Sequence, residues 1–317
     1  MPQDRVTVVV PAFHASGTIE RTVRSVFGQP QVDVRLIVVI DDEDGMTEAV
    51  LADLPDPRLS VMTNPGNLGA QKSRNRGLDA VDSEYVMFLD SDDFVMGDLL
   101  HGLTTALRQG RDGEGADIAF APWLFYDEGL NQANRRKPTY TGAADLLDRW
   151  LVRRQWTPPC ALLWRTEFLR DIGGWNESVR RNQDGEVVCR GVLAGARIAH
   201  SALGCGVYVQ HDSPFRISGN RSTFGDLAEV AEALLRQPTD RLPEAERRKI
   251  LGDYFYWLAD SAFRRGDREA GRHALKRGEE LGGELRLDAR IPRFGAAVLG
   301  LETYRGVSAW VRGANDR

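Results

Sequence analysis

The run RVTVVVP at residues 5–11 is β-branched and shows no polar face. That is the pattern of a strand buried on both sides within a parallel sheet. Just after it, Ile19, Val23, Val26 and Phe27 recur at i, i+4, i+7 and i+8, which predicts a helix with one apolar stripe and Ser16 as its N-cap. Val34–Ile40 repeats the buried-strand pattern, and Leu59–Met62 makes a short third strand. Asn64-Pro-Gly-Asn67 is turn chemistry leading into a helix over 69–81, and EYVMFL at 84–89 is a fourth strand. Strand and helix alternating at this pace predict an α/β fold, a parallel sheet with helices on both faces. Ligands of such sheets collect beyond the carboxyl ends of the strands.

Further along, the pattern predicts helices near 98–108, 143–153 and 184–194, and strands at 117–124, 161–164 and 206–210. From about residue 226 no strand signal remains. Residues 226–236, 243–265 and 268–281 are rich in Ala, Leu, Arg and Glu, and Gly266-Asp267 turns the last two into an α-hairpin. Ala259, Ala262, Gly271 and Ala274 give it small packing positions, as in a tetratricopeptide unit, but one such unit cannot bury its own face. The expected domains are therefore 1–225, carrying the sheet, and 226–317, a helical C-terminal extension packed on it.

Composition narrows the classes. With 42% hydrophobic and 27% charged residues in 317, the chain is neither collagen-like, coiled-coil nor disordered. No apolar run reaches the roughly 18 residues of a membrane span, and the sequence enters its first strand without a leader pattern. Cys160, Cys189 and Cys205 are an odd number without a C-x-x-C pair, and predict reduced thiols. These features predict a cytoplasmic protein. The net charge of −5 leaves no footprint for nucleic acid, and because residues 226–317 hold 17 Lys/Arg against 16 Asp/Glu, the acidic excess lies in residues 1–225. The apolar, mildly basic stretch 291–312 fits packing on the main domain, contact with the inner membrane face, or a second subunit.

Chemistry-bearing residues cluster where strands end. Asp41 and Asp42 leave the second strand, where a carboxylate can accept hydrogen bonds from a base or ribose; an ordinary acidic turn reads equally well. Leu89-Asp-Ser-Asp-Asp93 crowds three carboxylates that repel unless solvent or a cation relieves them. Such hard oxygens suit Mg²⁺ or Mn²⁺ carrying phosphate. Asn67-Leu-Gly-Ala-Gln-Lys-Ser-Arg-Asn-Arg-Gly77 opens a helix whose N-terminus attracts anions, with Lys72, Arg74 and Arg76 adding charge. It lacks the dinucleotide and Walker glycine patterns. Asp184 opens another helix, as a cap or as a base kept ionised by the helix dipole. His211 is a metal ligand or a surface histidine.

Taken in order, PAF at 11–13, DD at 41–42, N-x-G-x-x-x-x-R-N-x-G at 67–77, D-S-D-D at 90–93, Q-D-x-E at 183–186 and His211 resemble the family 2 glycosyltransferases over about residues 5–220. The resemblance implies a GT-A fold, a Rossmann-like, mostly parallel sheet flanked by helices. It implies that Pro11, Ala12, Phe13, Asp41, Asp42, Gly69, Asn75, Asp90 and Ser91 form the nucleotide side, with Phe13 against the base and Asp42 bonded to it. Asp92 and His211 would hold Mg²⁺ or Mn²⁺ under the diphosphate, and Asp184 would be the catalytic base. Gly174, Trp175 and Gln183 would line the acceptor side. Trp156 and Trp164 are sugar platforms or, more in keeping with their type, core residues.

The pattern departs from the family at three places. His14 stands where Asn is usual, Asp-Asp-Glu-Asp-Gly replaces Asp-Asp-Gly-Ser, and Gln183 replaces Glu beside an intact Asp184. The implied reaction is inverting transfer from a UDP-sugar to a hydroxyl of a glycan, a lipid-linked glycan or a small molecule. Two rivals are a sugar nucleotidyltransferase, whose basic glycine-rich loop is absent before Arg21, and a non-catalytic scaffold that binds a partner or a second copy through its C-terminal helices.

Overall fold

The computed structural model describes residues 4–110, 113–210, 224–285 and 300–305. The first half contains β1 (Arg5–Ala12), α1 (Ile19–Phe27), β2 (Asp33–Ile40), α2 (Met46–Ala52), β3 (Leu59–Thr63) and α3 (Ala70–Asp79). It continues with β4 (Tyr85–Phe88), β5 (Phe94–Met96), α4 (Leu99–Gln109), β6 (Ile118–Phe120), β7 (Trp123–Asp127) and β8 (Gln132–Arg136). The second half contains α5 (Ala143–Leu147) with a π turn over Asp148–Val152, a 3₁₀ turn Pro159–Ala161, β9 (Leu162–Arg165), α6 (Thr166–Asp171) and α7 (Gln183–Leu193). β10 (Ile198–His200), β11 (Cys205–Gln210), α8 (Phe224–Arg236), α9 (Glu244–Arg264) and α10 (Arg268–Glu280) complete it.

The chain packs as two compact units. The first, residues 1–141, 156–178 and 194–220, holds both sheets. Its main sheet runs β10-β6-β9-β4-β1-β2-β3. β1, β2, β3 and β4 are mutually parallel neighbours, and β9 runs antiparallel to β4 and β6. Alternation along β1 sends Val6, Val8 and Val10 into a core with Ile19, Val23 and Val26 of α1 and Leu99, Leu103 and Leu107 of α4. Val9, on the opposite face, meets α3, and a Cβ at Gly77 would overlap its Cγ1. The last glycine of the 67–77 motif is therefore a packing glycine. A second, smaller sheet runs β5-β11-β7-β8.

The single strand expected over 117–124 is two, β6 in the main sheet and β7 in the smaller one. Pro122 between them has no N–H to offer a ladder, and its carbonyl accepts from Gly206 N–H, so the chain changes sheet there. Ser16 does not cap α1. Residues 15–18 form a turn in which Thr18 and Ile19 N–H bond to Ala15 C=O, and the helix starts two residues later than its expected cap implies.

The second unit groups residues 142–155, 179–193 and 221–317, and its described residues carry helices and no strand. α5 and α7 pack in it with α8, α9 and α10, so packing does not follow the boundary at residue 225. Ala259, Ala262, Gly271 and Ala274 are buried as their size suggests, Gly271 against the Phe263 ring. α10 is capped by Asp267, whose carboxylate accepts from Ala270 N–H at 3.1 Å. Most of 291–312 lies outside the described residues.

Candidate active site

In the first unit the carboxyl ends of β1, β2 and β4 lie side by side, and three strand-end acids do three different jobs. Asp41 is 4% exposed and wholly occupied. Its Oδ1 accepts from Asn64 Nδ2 at 2.6 Å and Leu68 N–H at 2.8 Å, and its Oδ2 from Gly69 N–H at 2.8 Å. Gly69, at φ +91°, allows the approach. The N–H groups expected to attract an anion before α3 are thus already bound to a carboxylate, and Asp41 and Gly69 brace the site's wall.

Asp42 is 5% exposed and accepts His14 N–H on Oδ2 at 2.7 Å; its buried Oδ1 has no partner among the described residues. Asp42, Ile40, Asn64, Thr63, Pro65 and Gly66 line a cleft of about 190 Å³ with Glu43, Gly45 and Glu48. His14 adopts φ +48°, and its Nδ1 lies 2.7 Å from Asp44 Oδ2. The Met46 N–H and then the His14 ring hold the Asp44 carboxyl below its ordinary pKa. His14, Asp42 and Asp44 bring ligand atoms within 4.8 Å of one another, a His-Asp-Asp group the sequence reading did not assemble. Pro11 is half-buried, Ala12 is buried and accepts Asp41 N–H at 2.8 Å, and the half-buried Phe13 ring lies 4.2 Å from the His14 ring.

The turn after β4 is fastened from several sides. Asp90 bonds through Oδ1 to Arg74 Nη2 at 2.6 Å, and the Arg74 side chain is 5% exposed. Thr22 donates its hydroxyl to the carbonyls of Ser91 and Asp93 at 3.0 and 2.7 Å, and Arg21 donates to the Asp92 carbonyl at 2.8 Å. Asp93, 1% exposed, accepts Val209 N–H of β11 at 2.9 Å. Asp90, Ser91 and Asp92 remain half-buried at the surface of the turn. Beneath them Cys160 is fully buried, and burial, then Asp93 and Asp90, push its thiol well up. Burial also raises Cys189 and Cys205, so all three sulfurs stay protonated and none is a ready nucleophile.

Asn75 and Trp175, predicted on separate sides of the site, meet. Asn75 accepts Trp175 N–H at 2.8 Å and donates Nδ2 to Trp175 C=O at 2.9 Å and Glu177 Oε1 at 3.0 Å. The Trp175 ring is 3% exposed, edge-on to Phe88 at 5.2 Å and under the Arg74 guanidinium at 4.4 Å. Trp175 is thus a brace for Arg74 rather than an open platform. Gly174 has φ +63° and its Cβ position lies 2.8 Å from Asn75 Oδ1, so only glycine fits. Trp164, 2% exposed, is core, while Trp156 is half-buried.

The second unit carries Asp184 in the first turn of α7, after Gln183, whose Nε2 donates to Arg180 C=O at 3.4 Å. Glu186, 2% exposed, is clamped by Arg190 at 2.7 and 3.1 Å, which leaves Asp184 as the half-buried acid of that turn. His211 lies outside the described residues.

The glycosyl transferase family 2 profile matches residues 7–165. The succinoglycan biosynthesis protein ExoU of Rhizobium meliloti is 30% identical over 83% of this chain and 74% of its own. ExoO of the same organism is 36% identical over 36% of this chain and 32% of its own, so the match spans about a third of that relative. An Escherichia coli UDP-Glc:alpha-D-GlcNAc-diphosphoundecaprenol beta-1,3-glucosyltransferase, WfgD, is 30% identical over 30% of this chain and 38% of its own. Among solved structures, Staphylococcus aureus TarS 1–349 in complex with UDP-GlcNAc superposes with a TM-score of 0.71 over 98% of this chain and 92% of that one, at 18% identity, which establishes the GT-A arrangement of the α/β fold. With its family profile spanning β1 to β9 and a relative alike along most of its length, the chain belongs to glycosyl transferase family 2.

Proposed function

We propose that this protein transfers a sugar from a UDP-sugar to a hydroxyl of a glycan acceptor, with inversion at the anomeric carbon. The observation that carries the donor assignment is Asp42 Oδ1, a buried carboxylate oxygen without a partner among the described residues, in the lining of the β2-end cleft. A buried acceptor of this kind costs about 1–3 kcal/mol unless a donor meets it. The imide N–H of uracil is such a donor, and Phe13 offers the base an apolar edge. The TarS complex with UDP-GlcNAc and the UDP-Glc enzyme WfgD support uridine as the nucleoside.

The half-buried oxygens of Asp90 and Asp92 are hard donors that fit Mg²⁺ or Mn²⁺, with Asp92 as ligand and Asp90 steadied by Arg74. A divalent cation bound there supplies positive charge that offsets the leaving diphosphate. His14, Asp42 and Asp44 are already engaged with one another, and we assign them to shaping the base edge. Asp184 accepts the proton of the attacking hydroxyl; Glu186, neutralised by Arg190, is unsuited to it. The relatives' names point to lipid-linked and polysaccharide acceptors, and among the described residues no helix is long and apolar enough to cross a membrane.

Thermal unfolding with UDP, GDP, CDP and dTDP, each with and without Mn²⁺, tests the donor assignment. A ligand at 100 times its Kd adds about 2.7 kcal/mol, a rise of several degrees. A Mn²⁺-dependent rise largest for UDP is expected. No rise with any nucleotide, or equal rises with all four, would refute a uridine-selective site.

A further inference from the structure

The smaller sheet carries a row of aromatic rings that the donor chemistry does not use. Trp123 and Phe125 alternate onto one face of β7, where the register sets Tyr208 of β11 opposite Phe125. Trp156, from the same unit, stacks on Trp123 with centroids 5.3 Å apart and planes at 23°. Tyr208 stands edge-on to Trp156 at 5.4 Å and lies 6.0 Å from Phe125. Trp123 is buried beneath this layer, while Trp156, Phe125 and Tyr208 are each half-buried. The core tryptophans behave differently, Trp150 and Trp164 being 1% and 2% exposed.

The rim of this face is polar and nearly uncharged. On β8, Asn134 pairs with Phe125, Gln132 with Asp127 and Arg136 with Trp123, and all three β8 residues are exposed. Gln210 on β11 pairs with Asp127. One cation and one anion among three amides do not form an anion site. Aromatic faces bordered by amides suit a neutral ring that is apolar on its C–H face and hydroxylated around its edge.

The sheet is continuous with the turn that carries the strand-end acids. β5 follows Asp93 directly, and β11 holds the Asp93 carboxylate through Val209 N–H. Arg21 ties the Asp92 carbonyl to Glu128, in the turn between β7 and β8, at 2.8 Å each. The geometry points to an acceptor subsite for a pyranose on the Trp156–Tyr208–Phe125 face, with Gln132, Asn134 and Gln210 bonding its hydroxyls. This subsite rests on the proposed glycosyl transfer for its purpose but not for its existence.

Saturation-transfer NMR titrations with laminaritriose, chitotriose and cellotriose on the full chain test it. At least one trisaccharide should bind saturably, and Trp156→Ala should weaken it at least tenfold. Asn134→Ala, on an exposed edge strand where no fold defect arises, should weaken it about threefold. Circular dichroism verifies that each variant is folded. No binding of any of the three sugars, or both variants binding like the wild type, overturns the subsite. A wild-type chain that shows the UDP shift but binds no trisaccharide loses only this inference. One that binds sugar through Trp156 without responding to UDP keeps the subsite and loses the donor reading.

Discussion

Asp184→Asn is expected to lower donor turnover at least about a hundredfold while nucleotide binding stays near wild type. General-base assistance is worth about 10²–10⁴ in rate, and the amide keeps the size of the carboxylate but cannot take a proton. The position suits the role. Asp184 lies in the first turn of α7, where the helix dipole favours the ionised acid, and it is half-buried. Glu186, two residues on, cannot substitute, because Arg190 holds both of its oxygens. Unchanged turnover, or loss of the UDP-induced shift, would remove Asp184 from the mechanism.

Asp92→Ala is expected to abolish the Mn²⁺-dependent part of the UDP shift and with it turnover, without unfolding the protein. Asp92 is half-buried, and the backbone of its turn is held independently by Thr22 and Arg21. The neighbouring acid makes the contrast. Asp93 is 1% exposed and bonds Val209 N–H, so Asp93→Ala should instead cost stability, about 1–3 kcal/mol for the stranded donor. A Mn²⁺-dependent UDP shift that survives Asp92→Ala would move the cation elsewhere, and the His14–Asp42–Asp44 group would be the next place to look.

Much of this arrangement is legible in the sequence because it depends on local pattern. Buried parallel strands must be continuously apolar, so β1, β2 and β4 stand out, and acids leaving them mark the ligand edge. Asp42 stands out in this way as a candidate. What it touches could not be, since the His14–Asp44 contact needs a left-handed residue at 14 and the approach of two loops 30 residues apart. The same limit hides the division of labour among the acids. Asp41 and Asp42 look alike in sequence, yet three donors converge on one and leave an oxygen of the other unmet. Trp156 and Trp164 likewise differ only in burial, which neighbours far along the chain decide. The grouping of 142–155 and 179–193 with the C-terminal helices is long-range packing, and no composition shift announces it.

The most direct test of the account is ¹H NMR of wild-type protein with diamagnetic Mg²⁺ and either UDP-glucose or UDP-N-acetylglucosamine, with water as the default acceptor. Both donors carry the sugar in the α configuration. Release of UDP with the free sugar appearing first as its β anomer, before mutarotation, is the predicted result. Release of the α anomer, or formation of pyrophosphate in place of UDP, would contradict inverting transfer from a UDP-sugar.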